Sequence, residues 1–190
     1  MKFSLSSKRF AASAVIAAAV ILTPALALAS GGGRAAHDSG TPARCKSGAI
    51  TAWVGEPGSG TAGSTFYELE LSNTSRHACT VFGYPGVSAI AQGDRQLGSA
   101  ARREDPGTSQ LITLASGATA HFQLQITDVE LYPRSACHPV TAVGVKVFAP
   151  NDFSAQIVTP FIFSACQRRG PKYLGVSPAI PGTGIPGYSN

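Results

Sequence analysis

Apolar and polar residues alternate with a period of two along most of the chain between residues 47 and 163. In residues 118–127 (ATAHFQLQIT), Phe122, Leu124 and Ile126 point to one side, whereas His121 and Gln123 point to the other. Such alternation is typical of a strand with one face on a core and the other in water. The sequence therefore predicts a strand here, with His121 on its solvent side.

The stretch 65–71 (TFYELEL) repeats this pattern. Tyr67, Leu69 and Leu71 fall on the apolar side, and Glu68 and Glu70 fall between them. The alternation predicts a second half-buried strand that presents both glutamates to water.

The rest of the chain contains further strands, separated by Gly- and Pro-rich turn signals such as residues 56–60 and Pro150-Asn151-Asp152. These strands are predicted at residues 47–54, 87–91, 110–114, 143–147 and 155–163, with a weaker one at 95–102. Many short strands with such turns predict an all-β fold, an antiparallel immunoglobulin-like β-sandwich of about 7–9 strands. A small closed barrel is the alternative architecture.

The N-terminus has the pattern of a secretory signal peptide. Basic residues at its start precede an apolar run over residues 10–28, which ends in Ala27-Leu28-Ala29. We expect a signal peptide at 1–29, a flexible Gly- and Ser-rich linker at 30–44, a β-sandwich domain at 45–176 and a disordered Pro/Gly tail at 177–190. A signal retained as a membrane anchor is the alternative to cleavage.

Removal of the signal changes the charge of the chain. Three of the 15 basic residues and none of the 10 acidic residues lie in 1–29, so the formal net charge falls from +5 to +2. A charge this small is not the footprint of a nucleic-acid-binding protein. We therefore expect no nucleic-acid partner and, after cleavage, no membrane partner.

Four cysteines, Cys45, Cys79, Cys137 and Cys166, follow the signal, and an even number in an exported chain predicts two disulfides. Cys137 and Cys166 are equally distant in sequence from the turn at residues 150–152, so they lie at the open end of one predicted hairpin. Cys45 and Cys79 flank an earlier hairpin. The favoured pairing is Cys45–Cys79 with Cys137–Cys166, and the alternative is Cys45–Cys166 with Cys79–Cys137.

No constellation of residues predicts catalysis, a cofactor or a metal ion. The sequence has no Gly-x-Ser-x-Gly motif, no candidate triad and no phosphate-binding glycine loop. The four histidines, His37, His77, His121 and His138, do not share a strand face at ligand spacing. We expect a protein that is not an enzyme, with no catalytic, cofactor-binding or metal-ligating residues.

Residues 73–86 (NTSRHACTVFGYPG) join a strand end at Asn73, Cys79 and an aromatic–proline–glycine turn. The order Asn-Thr-Ser, Cys, Gly-Tyr-Pro-Gly, followed by Gln92-Gly93-Asp94, resembles the actinobacterial secreted and lipoprotein family known as domain of unknown function 4232. The resemblance extends from about Cys45 to about Val176, although Ser116 stands where many relatives carry proline and no lipidated cysteine follows the signal. It implies an extracytoplasmic β-rich domain and carries no activity.

Within this stretch, Asn73, Gly83, Tyr84, Pro85 and Gly86 have the residue types of a turn, and we interpret them as determinants of the fold and not as an active site. Mutation at such positions is expected to reduce stability before any other property.

Two functions fit these observations. The first is a non-enzymatic binding module of the cell envelope or exterior, with cell-wall polysaccharide or a secreted protein as partner. The second is a secreted protease inhibitor, for which Arg102-Arg103-Glu104-Asp105 is the candidate trypsin-like site. A hydrolase is a weaker third class because the sequence offers no nucleophile with a base.

Overall fold

The structure, a computed structural model, describes residues 40–104 and 108–184, without the side chains of residues 56–59. The predicted signal peptide, most of the predicted linker, Asp105 and residues 185–190 lie outside the described residues. In chain order, the described strands are β1 (Ile50–Thr61), β2 (Ser64–Asn73), β3 (Cys79–Phe82), β4 (Gly86–Ile90), β5 (Gln96–Leu97), β6 (Arg102–Arg103), β7 (Leu111–Leu114), β8 (Thr119–Thr127), β9 (Pro139–Ala142), β10 (Gly144–Phe148), β11 (Ala155–Val158), β12 (Phe163–Cys166), β13 (Leu174–Val176) and β14 (Ile180–Pro181).

The all-β prediction is confirmed, because strands make up 49% of the chain and the described residues form one short α-helix, α1 (Arg134–Cys137). The immunoglobulin-like arrangement stays a prediction. The 14 described strands outnumber the predicted 7–9. Three of them, β5, β6 and β14, are only two residues long, too short to show a period of two.

The largest sheet contains six strands in the order β1-β2-β8-β13-β6, and β14 also pairs with β8. β8 is its central strand. It pairs with β2 along its whole length, from Ser64↔Thr127 to Ser72↔Thr119. On its other edge it pairs first with β14 and then with β13. Except for the β6–β13 pair, which is parallel, the pairings of this sheet are antiparallel.

A second sheet has the order β11-β10-β4-β5. Its β10–β11 hairpin is the one predicted around residues 150–152. Leu69 and Phe122 from the large sheet and Ala89 and Val147 from the second sheet belong to one buried hydrophobic cluster. The two sheets thus share a core, and apolar residues of the alternating strands supply it.

Several predicted boundaries are wrong. The weak strand predicted at 95–102 is two short strands, β5 and β6, which belong to different sheets. The Gly- and Pro-rich residues 56–60 do not form the turn of the first hairpin, because β1 continues to Thr61 and the chain turns at Gly63, where φ is +84°. Two register shifts after Val54 accommodate these residues inside the strand. The predicted strand at 155–163 is two strands, β11 and β12, which are separated by the cis Thr159–Pro160 peptide and pair with different partners.

Each of the two disulfides has one cysteine in a small two-stranded sheet, Cys79 in β3 of the β3–β7 sheet and Cys166 in β12 of the β9–β12 sheet. The structure joins Cys45 to Cys79 and Cys137 to Cys166, which is the pairing that the sequence favours. Cys79 begins β3, and Cys45 N donates to the carbonyl of Thr80, the residue after Cys79, at 2.9 Å.

The prediction of a disordered tail from residue 177 is wrong for the part that is described. Ser177 and Ala179 are buried, and Ile180–Pro181 forms β14. The physical reason is that prolines and glycines remove helical and strand periodicity from the sequence but do not prevent an extended segment from packing along an edge of β8.

Candidate binding site

Two adjoining clefts lie where the Gly83-Tyr84-Pro85-Gly86 turn meets the turn after β10. Their volumes are about 290 Å³ and about 390 Å³, and Tyr84, Arg103 and Asn151 line both. Phe82 lines the first and Phe153 lines the second. We call the surface formed by Phe82, Tyr84, Arg103, Asn151 and Phe153 the Tyr84 face.

The turn at residues 83–86 carries the chain from β3 in a small sheet to β4 in the second sheet. Gly83 has φ +92°, a conformation that favours glycine. Pro85 is buried, and a Cβ at Gly86 would lie 3.3 Å from the Phe148 side chain. This close packing fixes the turn and leaves the Tyr84 ring half-buried at the surface.

Arg103 reaches the same surface from the large sheet. Its strand, β6, pairs in parallel with β13, and its guanidinium carbon lies 5.5 Å from the centre of the Tyr84 ring. A cation over an aromatic ring at an exposed site contributes about 0.5–1 kcal/mol. The contact therefore orients both side chains on the face.

The turn at Asn151 and Phe153 forms the opposite wall. Asn151 Nδ2 donates to the Phe82 carbonyl at 3.2 Å, and Phe153 is 94% exposed. Between them, Asp152 accepts hydrogen bonds from Ser47 N at 2.6 Å and from Phe153 N at 2.7 Å. The bond from the Ser47 hydroxyl, followed by those from the backbone amides, lowers the pKa of Asp152 to about 2. Asp152 is therefore a charged anchor for this turn near neutral pH.

The Tyr84 face offers mainly aromatic and cationic contacts. Asn151 and Asp152 already use polar atoms in internal hydrogen bonds, so aromatic carbon and a cation dominate what remains. The described residues that line the two clefts include Ser109 but no histidine, so a serine–histidine pair is absent from that lining.

A larger cleft, about 420 Å³, lies at the tip of the β1–β2 hairpin. Small residues dominate its lining, together with Tyr67, Phe163 and Asp128. We favour the Tyr84 face because it combines a cation with highly exposed aromatic rings, the residue types that dominate binding energy at interfaces.

The structure places Arg102 and Arg103 of the predicted inhibitor site at one edge of the large sheet. Arg102 and Arg103 form β6 and pair with Gly175 and Val176, and the Arg102 side chain forms an ion pair with Glu104. Among the described strands β6 pairs only with β13, so its other backbone edge has no strand partner. The inhibitor hypothesis stays a prediction.

Asn73 occupies a corner and not a ligand site. Its side chain is completely buried, and Nδ2 donates to the carbonyl oxygens of His77, Leu114 and Ala115 at 2.8, 3.0 and 3.1 Å. Its Oδ1 accepts from Ser75 N at 3.0 Å. Asn73 thereby ties the end of β2 to the loop before β3 and to the end of β7.

The structure contradicts the prediction that Glu68, Glu70 and His121 face water. They do lie on the outer face of the large sheet, but Glu68 is 8% exposed, Glu70 0% and His121 5%. One carboxylate oxygen of each glutamate, Oε2, is buried without a hydrogen-bond partner among the described residues. Alternation in the sequence indicates the side of a strand, but it cannot indicate what later covers that side.

Burial changes the protonation of this acid pair. Burial raises the pKa of Glu70 to about 7, although a hydrogen bond from Gly184 N lowers it, and the neighbouring Glu68 adds to the increase. Burial also raises the pKa of Glu68, whereas the charge of His121 lowers it. Unpartnered carboxylate oxygens in a covered site favour the neutral acids.

Of the other histidines, His77 and His138 are exposed, and His37 lies outside the described residues. Within 40–104 and 108–184, no three His, Cys, Asp or Glu side chains come together as metal ligands would. Over the same part of the chain, no helix has the length and apolarity needed to cross a membrane.

A family model described as Domain of unknown function (DUF4232) matches residues 45–179 of the chain. The match ends three residues beyond the predicted domain boundary at 176 and so includes Ser177, whose backbone N donates to the Gln123 carbonyl of β8 at 3.0 Å. No curated protein and no solved structure matches the chain.

Proposed function

Because the chain belongs to this family of domains of unknown function, we propose its function from its surface: a non-enzymatic binding module that docks a protein partner through the Tyr84 face. The module works outside the cytoplasm, at the envelope of an actinobacterial cell. The observation that carries the proposal is the convergence of Phe82, Tyr84, Arg103 and Phe153 on two adjoining clefts.

The composition of the face supports a protein partner over a polysaccharide. Phe82 is 48% exposed, Phe153 is 94% exposed, and Leu111, the register partner of Phe82, is also exposed. Clustered exposed apolar residues mark protein-interaction surfaces. A sugar site needs several polar groups directed at the ligand, whereas Asn151 and Asp152 bond within the domain.

Export is supported by the signal-peptide pattern at 1–29 and by the two disulfides, which persist in oxidising compartments. The resemblance of residues 73–86 to secreted actinobacterial proteins supports the same location. Since the described residues that line the face include no histidine to activate a nucleophile, we include absence of enzyme activity in the proposal.

The test is retention of secreted and surface proteins from the producing cells by the immobilised mature chain. Phe153→Ala is the decisive variant, because truncation of a side chain that is 94% exposed removes contact area without affecting the core. If Phe153 is a binding hot spot, Phe153→Ala raises the Kd of the retained complex about 30-fold. Ile162→Ala, at a side chain that is 62% exposed and does not line either cleft, is the matched control and leaves retention unchanged.

Two outcomes would contradict the proposal. If Phe153→Ala and Arg103→Ala both retain the same protein as strongly as the wild type, the Tyr84 face is not the docking surface. If purified cell-wall polysaccharide binds the chain and Phe153→Ala abolishes that binding, the partner is a glycan and not a protein.

A further inference from the structure

Residues 180–184, which we call the strap, close over the outer face of the large sheet. β14 runs beside β8, and the chain then turns at Gly182, where φ is +85°. His121 Nδ1 donates to the Gly182 carbonyl at 2.9 Å, and Gly184 N donates to Glu70 Oε1 at 2.8 Å. Two titratable side chains, His121 and Glu70, therefore form hydrogen bonds with the strap backbone.

The strap is held unevenly. The residues before it are buried, with Ala179 N bonded to the Gly83 carbonyl at 2.9 Å. By contrast, Gly182 and the residue after it are exposed, and Gly184 is only half-buried. A terminal segment with little buried apolar surface opens at low free-energy cost, independently of the rest of the domain.

Gly184 closes the strap directly onto the acid pair. A Cβ at Gly184 would lie 2.6 Å from Glu68 Oε2 and 2.7 Å from Glu68 Cγ, so the strap backbone lies against this carboxyl group. The neighbouring Glu70 accepts the Gly184 amide through Oε1, while its Oε2 has no partner among the described residues. Two covered carboxyls on one strand face cannot both ionise without strong repulsion and loss of hydration.

Among the described residues, the surrounding elements compensate the charge of the pair only in part. His121 on β8 is the titratable group opposite Glu70 in register, and its charge favours ionised Glu68. From β1, the register partner of Glu70 is Trp53, which carries no charge. Arg102 at the far edge of the sheet forms an ion pair with Glu104. His121 can donate from Nδ1 to Gly182 in its neutral as well as its charged form, so this contact does not itself require acid.

We propose that the strap is a proton-dependent latch, closed over Glu68 and Glu70 while the pair holds a proton and released when both carboxyls ionise. The proposal goes beyond the docking function and does not depend on it. In the open strap, Glu70 is hydrated and titrates near the ordinary 4.5, whereas in the closed strap it titrates near 7. The closed state is therefore favoured below pH 4.5 and loses its advantage as the pH rises through 7.

The test is hydrogen exchange at the Gly182 and Gly184 amides of the full mature chain, corrected for the base catalysis of exchange. Between the two pKa values, protection should fall about tenfold per pH unit, or roughly 300-fold in total. Glu70→Gln cannot ionise and should keep its protection nearly constant over that range. Glu130→Gln, at an exposed glutamate paired with Arg134 at 3.4 Å, is the matched control and should follow the wild type.

A wild-type profile that is flat from about pH 5 to about pH 8 would overturn the proposal, even if Glu70→Gln fails to fold. A slope that persists unchanged in Glu70→Gln would also overturn it.

Discussion

Asn73 offers the sharpest test of how the fold is held together. Its completely buried side chain lies within hydrogen-bond distance of three carbonyl oxygens through Nδ2, and it accepts from Ser75 through Oδ1. Asn73→Ala removes all of these hydrogen bonds. The Leu114 carbonyl, whose bond to Asn73 is buried, then lacks this donor.

The magnitude follows from the atoms involved. Nδ2 carries only two hydrogens, so its three contacts count as about two full bonds. Oδ1 accepts from Ser75 N and shares the single Ser75 hydroxyl hydrogen with the His77 carbonyl, so it adds about one more full bond. At about 1 kcal/mol for each net bond, Asn73→Ala should lower the free energy of unfolding by about 3 kcal/mol. A loss of this size lowers the melting temperature of a domain of this length by roughly 10 °C.

Thermal and urea unfolding, followed by circular dichroism with both disulfides intact, measures this loss. Ser75→Ala is the graded control. It removes the hydroxyl bond to Asn73 Oδ1 at 2.8 Å, keeps the Nδ2 bonds and should cost about 1 kcal/mol or less. Asn73→Asp should cost more than Asn73→Ala, because a carboxylate would face carbonyl oxygens with no hydrogen to donate. If Asn73→Ala lies within about 1 kcal/mol of the wild type, this account of the corner is refuted.

Three further predictions follow from the acid pair, the first disulfide and the strap. The folded-state pKa of Glu70 is raised from 4.5 to about 7, so the free energy of unfolding should fall as the pH rises from 4.5 through 7, by no more than the free energy that closes the strap. Urea titrations should show that fall in the wild type and its absence in Glu70→Gln. Loss of the Cys45–Cys79 bond, which spans 34 residues, should lower the free energy of unfolding by about 4 kcal/mol in a double-serine variant; an unchanged urea midpoint would contradict this. Gly184→Ala places a methyl against the Glu68 carboxyl, so it should reduce exchange protection of the strap while the global melting temperature stays within about 2 °C.

The sequence predicts the strands well wherever one face is apolar over several residues. Residues 118–127 are an example, because burial of Phe122 and Leu124 imposes the period of two. The disulfides are also predictable, since each joins the ends of a local hairpin. Strands of two residues, such as β6 and β14, leave no periodic trace, and their pairing depends on partners far away in the chain.

The candidate sites could be predicted only in part. Gly83 and Tyr84 stand out in the sequence as a turn, but the approach of Arg103 to Tyr84 depends on the parallel pairing of β6 with β13. The burial of Glu70 depends on the strap, which folds back from more than 100 residues further along the chain; the bond from Gly184 spans 114. Neither long-range contact has a local signal, because hydrophobic periodicity reports only a residue's own strand.

The corner at Asn73 has a consequence for production of the protein in a eukaryotic host. Asn73-Thr74-Ser75 is an acceptor sequence for N-glycosylation, and the sugar is attached at the side-chain amide nitrogen. In the folded domain that nitrogen is buried and donates to the backbone. Glycan attachment and the native corner therefore exclude each other. The glycosylated fraction would therefore measure the proportion of chains that were modified before β2, β3 and β7 had come together.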